Sequence, residues 1–295
     1  MHLARATALV VCSTALLACS SLTSQPSGGS SAPTWSQRLP DPVSAGTTFE
    51  SPVIETGLEA HAVRQNFPSD SVFAGGGFNL YALQARFAIN DRWSIIATKD
   101  GWIDLTSDNP AIADDSGLAD IAGGVKFLAY SDPEAGVLIT PGLIYETTTG
   151  DEEVFQGNGD GLLRPFVAAG WDLDRTNLLG AFGINQPLDG DEESSSYDYH
   201  LHVSYEVTPQ FLPLFELNGI SYTSNGKAFP ADFEGGDLIN LGSTDVAGQT
   251  VVSGALGAAW RPNDSIQVGA TYEWPITSRE DLLDDRIWFA VLFRL

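Results

Sequence analysis

Cysteine, histidine, methionine and basic residues are all scarce in this chain. Its 295 residues include two cysteines, four histidines, one methionine and only 14 lysines and arginines. Cys12 falls inside an N-terminal apolar run, so removal of that run would leave Cys19 alone. A chain with one cysteine builds neither an internal disulfide nor a thiolate metal cluster. Against the few bases stand 38 acids, for a net charge of −24. Such a chain repels nucleic-acid phosphates and has no basic patch to bind them. No stretch of about 20 apolar residues occurs anywhere, which excludes a transmembrane helix.

The N-terminus reads as a leader. Arg5 precedes an apolar run, Ala6 to Leu17, too short to span a bilayer. The run ends in Leu16-Leu17-Ala18-Cys19, which resembles the lipobox of bacterial lipoproteins. The resemblance implies a signal peptide over 1–18 and diacylation of Cys19. Ser20 stands where an aspartate would retain a lipoprotein at the inner membrane, so it also implies sorting to the outer membrane. Residues 19–49 are then expected to be a flexible tether, rich in Ser, Pro, Gly and Thr around SQPSGGSSAP. No plug-sized N-terminal domain is expected.

From about Glu50 to Leu295 the pattern has period two. In YDYHLHVSYEV, residues 197–207, Tyr197, Tyr199, Leu201, Val203, Tyr205 and Val207 share one face; Asp198, His200, His202, Ser204 and Glu206 share the other. A helix would mix these sets, whereas a strand separates them. About twelve such segments follow one another: 52–64, 76–89, 93–105, 117–130, 136–147, 161–173, 177–187, 197–207, 211–222, 248–261, 265–276 and 286–295. The first is weakly patterned, and adjacent Lys99 and Asp100 blur the phase of the third. Tight turns alternate with long loops. The six long loops (65–75, 106–116, 148–160, 188–196, 223–247 and 277–285) hold 20 of the 38 acids and two bases, Lys227 and Arg279.

Short turns on one side, long polar loops on the other and an even strand number predict a transmembrane, antiparallel, up-and-down β-barrel. In hydrocarbon every backbone N–H and C=O needs an internal partner, and a sheet provides that only by closing on itself. A soluble β-sandwich also alternates, but its core face would not gather Trp171, Tyr197, Tyr205, Trp260 and Phe293 near strand ends. With an even strand number both termini of the barrel lie on the short-turn, periplasmic side. An anchor at Cys19 agrees with that topology.

Residues 117–161 carry Gly117-Leu118-Ala119-Asp120, then Gly124-Val125-Lys126-Phe127, then Thr149-Gly150-Asp151 and a Gly-rich loop, Gly157-Asn158-Gly159-Asp160-Gly161. This stretch resembles the family known as the MetA-pathway of phenol degradation, a group of outer-membrane barrels. Thr148 stands where that family usually has proline. The resemblance implies a channel-like or transporter-like barrel, and its motifs are strand and turn signals rather than catalytic ones.

Several constellations invite chemistry. His200 and His202 are spaced about 6.7 Å apart on one strand face, but a zinc site wants three or four ligands, so they are read as lumen lining. The other lining residues are Asp120, Lys126, Glu146, Arg164, Glu206, Glu216, Glu273, Arg286 and Arg294, with Arg86 and Arg261 in the same rows. Both signs are present, so these side chains should pair inside a barrel of modest width. Inward Gly124, Ala168, Gly170, Ala255, Gly257 and Gly269 are expected to leave a narrow path. Tyr222-Thr223-Ser224-Asn225-Gly226 resembles a barrel-esterase motif in which histidine occupies the first place. Tyrosine there is a poor base at neutral pH, and Ser-Asn-Gly is a good turn.

These features predict an outer-membrane channel or transporter for small solutes, organic or aromatic ones among them, that needs no cofactor or metal and is not an enzyme. A closed structural or surface-interaction barrel is the alternative, and an esterase using Ser224 is a weaker one. Membrane lipid and small solutes are the expected partners.

Overall fold

The computed structural model describes residues 35–295. The expected signal peptide over 1–18, Cys19 and the expected tether up to residue 34 lie outside the described residues. Fifteen strand segments form one sheet: β1 (Gly57–Asn66), β2 (Gly76–Ala88), β3 (Trp93–Lys99), β4 (Trp102–Ser107), β5 (Asp115–Leu118), β6 (Ala122–Phe127), β7 (Tyr130–Asp132), β8 (Val137–Glu146), β9 (Leu162–Leu173), β10 (Thr176–Pro187), β11 (Ser196–Tyr205), β12 (Phe211–Tyr222), β13 (Thr250–Asn263), β14 (Ile266–Pro275) and β15 (Asp285–Arg294). β3 and β4 are halves of one wall strand, and β5, β6 and β7 are pieces of the next. β1 pairs antiparallel with both β2 and β15, so the sheet closes into a twelve-strand barrel.

The interruption between β3 and β4 falls at the ambiguous Lys99-Asp100 step. There the pairing of β3 with β6 shifts register, as at a β-bulge. Gly101 takes φ +128°, where a Cβ would meet the Tyr81 carbonyl. Asp100 turns back to accept the Leu83 amide at 2.8 Å.

Side-chain facing follows the alternation. In β11, Ser196, Asp198, His200, His202 and Ser204 are buried inward, while Tyr197, Leu201 and Tyr205 are exposed outward. Exposed Phe87, Trp93, Trp171, Tyr205, Phe211, Trp260 and Phe293 form an aromatic belt near the short turns, the level at which amphipathic rings meet headgroups. Not all inward residues are polar. Phe67, Phe73, Phe78, Leu80, Ile103, Leu105 and Trp288 form an apolar cluster that includes Leu238, Ile239 and Leu241 from the loop between β12 and β13. That long loop therefore folds into the mouth rather than away from it.

The larger departure from expectation is at the N-terminal side. Residues 35–56 are not a free tether. They enter at the short-turn end, where Arg38 reaches the Asp174 carbonyl, and rise to Thr47, which donates to the Asp237 carbonyl of the mouth loop at 3.2 Å. The chain reverses at Ala45 (φ +52°), whose carbonyl accepts the Thr48 and Phe49 amides. It then descends to Thr56, whose carbonyl accepts the Leu295 amide at 2.9 Å. The Ser/Pro/Gly composition suggested disorder, but Leu39, Val43, Ala45, Phe49, Val53 and Ile54 are all buried. Residues 52–56 belong to this hairpin, which is why the first predicted strand begins five residues too early.

The expected narrow path is filled by the same segment. A Cβ on Gly269 would lie 2.5 Å from Val43 Cγ2, and one on Gly170 would lie 2.9 Å from Leu39 Cδ1. These small residues accommodate the hairpin. Gly269→Leu should therefore expel it at an overpacking cost of about 1–3 kcal/mol. Limited proteolysis would detect new cleavage within residues 38–50 while heat-modifiable gel mobility still reports a folded barrel. Protection equal to the unsubstituted chain would contradict this packing.

Candidate functional site: the occupied lumen

The hairpin's irregular backbone sits among inward polar side chains, and those side chains satisfy it. Val43 and Ser44 amides donate to Glu216 Oε1 and Oε2 at 2.9 and 2.7 Å, and the Ser44 hydroxyl adds a third bond. Gln267 accepts from the Asp41 amide and donates to the Asp41 carbonyl. Gln84 serves the Gly46 carbonyl, Arg164 that of Thr48, Lys126 that of Ser51 and Thr140 that of Pro52. Buried backbone groups without such partners would each cost free energy of the order of a lost hydrogen bond.

His200 and His202 do not converge on a common point. His200 Nδ1 lies 2.9 Å from Asn218 Oδ1 and its Nε2 3.0 Å from Asp198 Oδ1, with the ring stacked on Phe49 at 5.0 Å. His202 Nδ1 instead meets Glu216 Oε1 at 2.7 Å. Both imidazoles are tied into the wall-to-hairpin network.

Ion pairs cover the inner wall. Arg164 holds Asp198, Arg286 holds Glu273 at 2.9 Å, Lys99 holds Glu146, and Arg261 holds Glu206 at 3.0 Å near the short turns. Glu273 also accepts from Asn218, Ser253 and Trp288. Arg286 reaches further, to Asp237 at 2.7 Å, and so links the wall to the mouth loop.

A denser group surrounds Arg86, which faces Asp41 (3.1 Å), Glu50 (2.9 Å), Glu55 (3.5 Å) and Glu59 (3.2 Å). Lys126 shares Glu50 at 2.6 Å, and Arg294 shares Asp41 and Glu55. Arg86 and Arg294 flank Gly57 in one row across β1. All these groups are buried.

Asp120 departs from a simple lining role. It sits in the break between β5 and β6 and accepts the Gly150 and Gly157 amides, fixing the loop after β8. The cavities left inside are small: about 50 Å³ beside His200, Asp237 and Arg286, and about 60 Å³ among Lys99, Asp120, Glu146 and Glu193. A larger vestibule of about 440 Å³ opens at the short-turn end between Arg38, Arg261 and Arg294. Ser224 is built into a turn: its hydroxyl accepts the Ser195 amide at 3.2 Å, while Asn225 accepts the Val246 and Ala247 amides.

Sequence reasoning missed Asp41, Glu50 and Glu55, because they fall in or beside the stretch read as a tether. A signal was present. The low-complexity composition ends near Pro33, and Leu39, Val43, Phe49, Val53 and Ile54 follow, too apolar for a solvated linker.

Comparison with solved structures finds the same fold. The COG4313 outer membrane channel from Pseudomonas putida F1 superposes with a TM-score of 0.59 at 13% identity, covering 87% of this chain and 100% of that one. The NanC porin superposes with a TM-score of 0.53 at 11% identity, covering 81% of this chain and 100% of that one. No family model and no curated protein sequence matches the chain.

Two loop carboxyls at the mouth are held above their ordinary range. Burial raises Asp281 to about 7, against the pull of Arg279, and burial together with Glu146 raises Glu193 to about 8 despite Lys99. An acid whose folded pKa is raised binds its proton more tightly in the folded state. Its contribution to loop stability is thus full below the ordinary carboxyl range of about 4 and is lost as pH rises toward 7–8. Hydrogen exchange of residues 234–243 should accelerate between pH 5 and 8 beyond the intrinsic rate change. Asp281→Asn with Glu193→Gln should flatten that acceleration; an undiminished acceleration in this variant would refute the assignment.

Proposed function

We propose that this protein is an outer-membrane channel for small solutes whose lumen is occupied at rest by residues 35–56. One observation carries the reading: the barrel's backbone ladder is complete without the hairpin, from β1 through its closure on β15. Side-chain bonds, ion pairs and the packing of Leu39, Val43, Phe49, Val53 and Ile54 hold the hairpin, whose chain joins the wall only where Thr56 meets β1. Withdrawal therefore breaks no strand pairing, and it would open an ionic passage able to filter solutes by charge. The fold shared with outer-membrane channels supports the same reading. The proposed topology has both ends of the barrel in the periplasm and Cys19 lipidated in the adjacent leaflet. Arg38 at the short-turn end is consistent with a chain arriving from that side. Membership of the MetA-pathway group rests on the residues of 117–161.

A second reading is a permanently closed barrel that displays acidic loops. The filled lumen favours it, and electrical measurement separates the two. Reconstituted in planar bilayers, a channel should give discrete current steps, few in the unsubstituted chain. Lys126→Gln and Arg164→Gln, which lie on the proposed path, should each shift the reversal potential under a KCl gradient. A folded protein that never conducts would support the closed barrel instead.

A further inference from the structure

Among the inner-wall cations, Lys99, Arg164, Arg261 and Arg286 each have a carboxylate partner on the barrel wall: Glu146, Asp198, Glu206 and Glu273. Arg86, Lys126 and Arg294 are different. Their partners are Asp41, Glu50 and Glu55 of the hairpin, and only Arg86 adds a wall carboxylate, Glu59. Asp41 bridges Arg86 and Arg294, and Glu50 bridges Arg86 and Lys126. Glu55 lies beside the junction with β1 and moves least when the hairpin swings out. Asp41 and Glu50 go with it. The wall then keeps three desolvated cations short of two carboxylates.

We propose that Arg86, Lys126 and Arg294 form a binding site for small dicarboxylates, and that Asp41 and Glu50 occupy it as an internal mimic of that solute. The proposal rests on the channel reading above and names the class of solute that the channel takes. One carboxylate of the solute replaces Asp41 between the two guanidinium groups, and the other replaces Glu50 between Arg86 and Lys126. Guanidinium groups suit this task because their planar donors match carboxylate oxygens in pairs. An empty site would leave three cations with only Glu55 and Glu59 between them, and Lys126 with no carboxylate partner, which is costly. The hairpin and the solute therefore exchange for one another, and the site is never bare.

Two measurements on the full-length chain test this. In the first, Ser51→Cys places a buried thiol on the hairpin, and its maleimide modification at residue 51 is read by mass spectrometry. Malonate, succinate and glutarate should accelerate modification several-fold over chloride at equal ionic strength, whereas sucrose should not. Rates no greater than in chloride would overturn the site. In the second, the Asp41→Asn, Glu50→Gln chain is recorded in planar bilayers after gel mobility confirms the barrel. It should conduct with anion preference, and adding Arg86→Gln and Arg294→Gln should abolish that preference. Current with no anion preference would sink the dicarboxylate site and leave the channel standing. Accelerated modification without current in any variant would keep the site and end the channel reading.

Discussion

Arg86 is the point on which the arrangement of the interior depends. A stretch of irregular backbone at membrane depth is tolerated only where protein groups satisfy it. Here the closed sheet removes lipid from the problem and the inward polar rows supply the partners. Arg86 adds the charge that draws Asp41, Glu50 and Glu55 inward, and Lys126 and Arg294 share them. Without these cations the hairpin's acids would meet a desolvation cost with no compensation. Without the hairpin the same cations would face it.

The remaining features follow from two environments meeting across one sheet. Outward positions contact hydrocarbon and are apolar, with rings near the short turns. Inward positions contact either the hairpin or the mouth loop. Polar side chains face the hairpin's carbonyls and amides, while Ile96, Leu138, Ile144, Phe166 and Leu179 pack with its Leu39, Phe49, Val53 and Ile54. Phe78, Leu80, Ile103 and Leu105 pack with Leu238 and Ile239 of the loop. Asp237 bonds Arg286 through its carboxylate and accepts from Thr47 through its carbonyl, so loop, wall and hairpin meet there. The withdrawal proposed above would therefore also break the hairpin's bond to the mouth loop.

The alternation of β11 made the barrel legible, because period two assigns every residue to a side without knowledge of its neighbours. Turn lengths then ordered the strands, and the inward charges were identified before their partners. Lys126 is the instructive case. Its facing was readable from Gly124-Val125-Lys126-Phe127, but its partner, Glu50, lies 76 residues away in sequence. Asp120 shows the opposite limit: its inward position was clear, but its work on the Gly150 and Gly157 amides depends on a loop conformation that no periodicity encodes.

The closed sheet, its strand number, the facing of its side chains and the acidic character of its loops all follow from local periodicity and composition. That residues 35–56 fill the lumen follows from no local pattern. That outcome depends on the sum of many long-range contacts: Glu216 on two amides, Gly269 making room for Val43, and three cations sharing three hairpin carboxylates. Residues 35–56 form no regular element beyond the turn Ser36–Arg38, and a lumen of matching shape and opposite charge holds them in place.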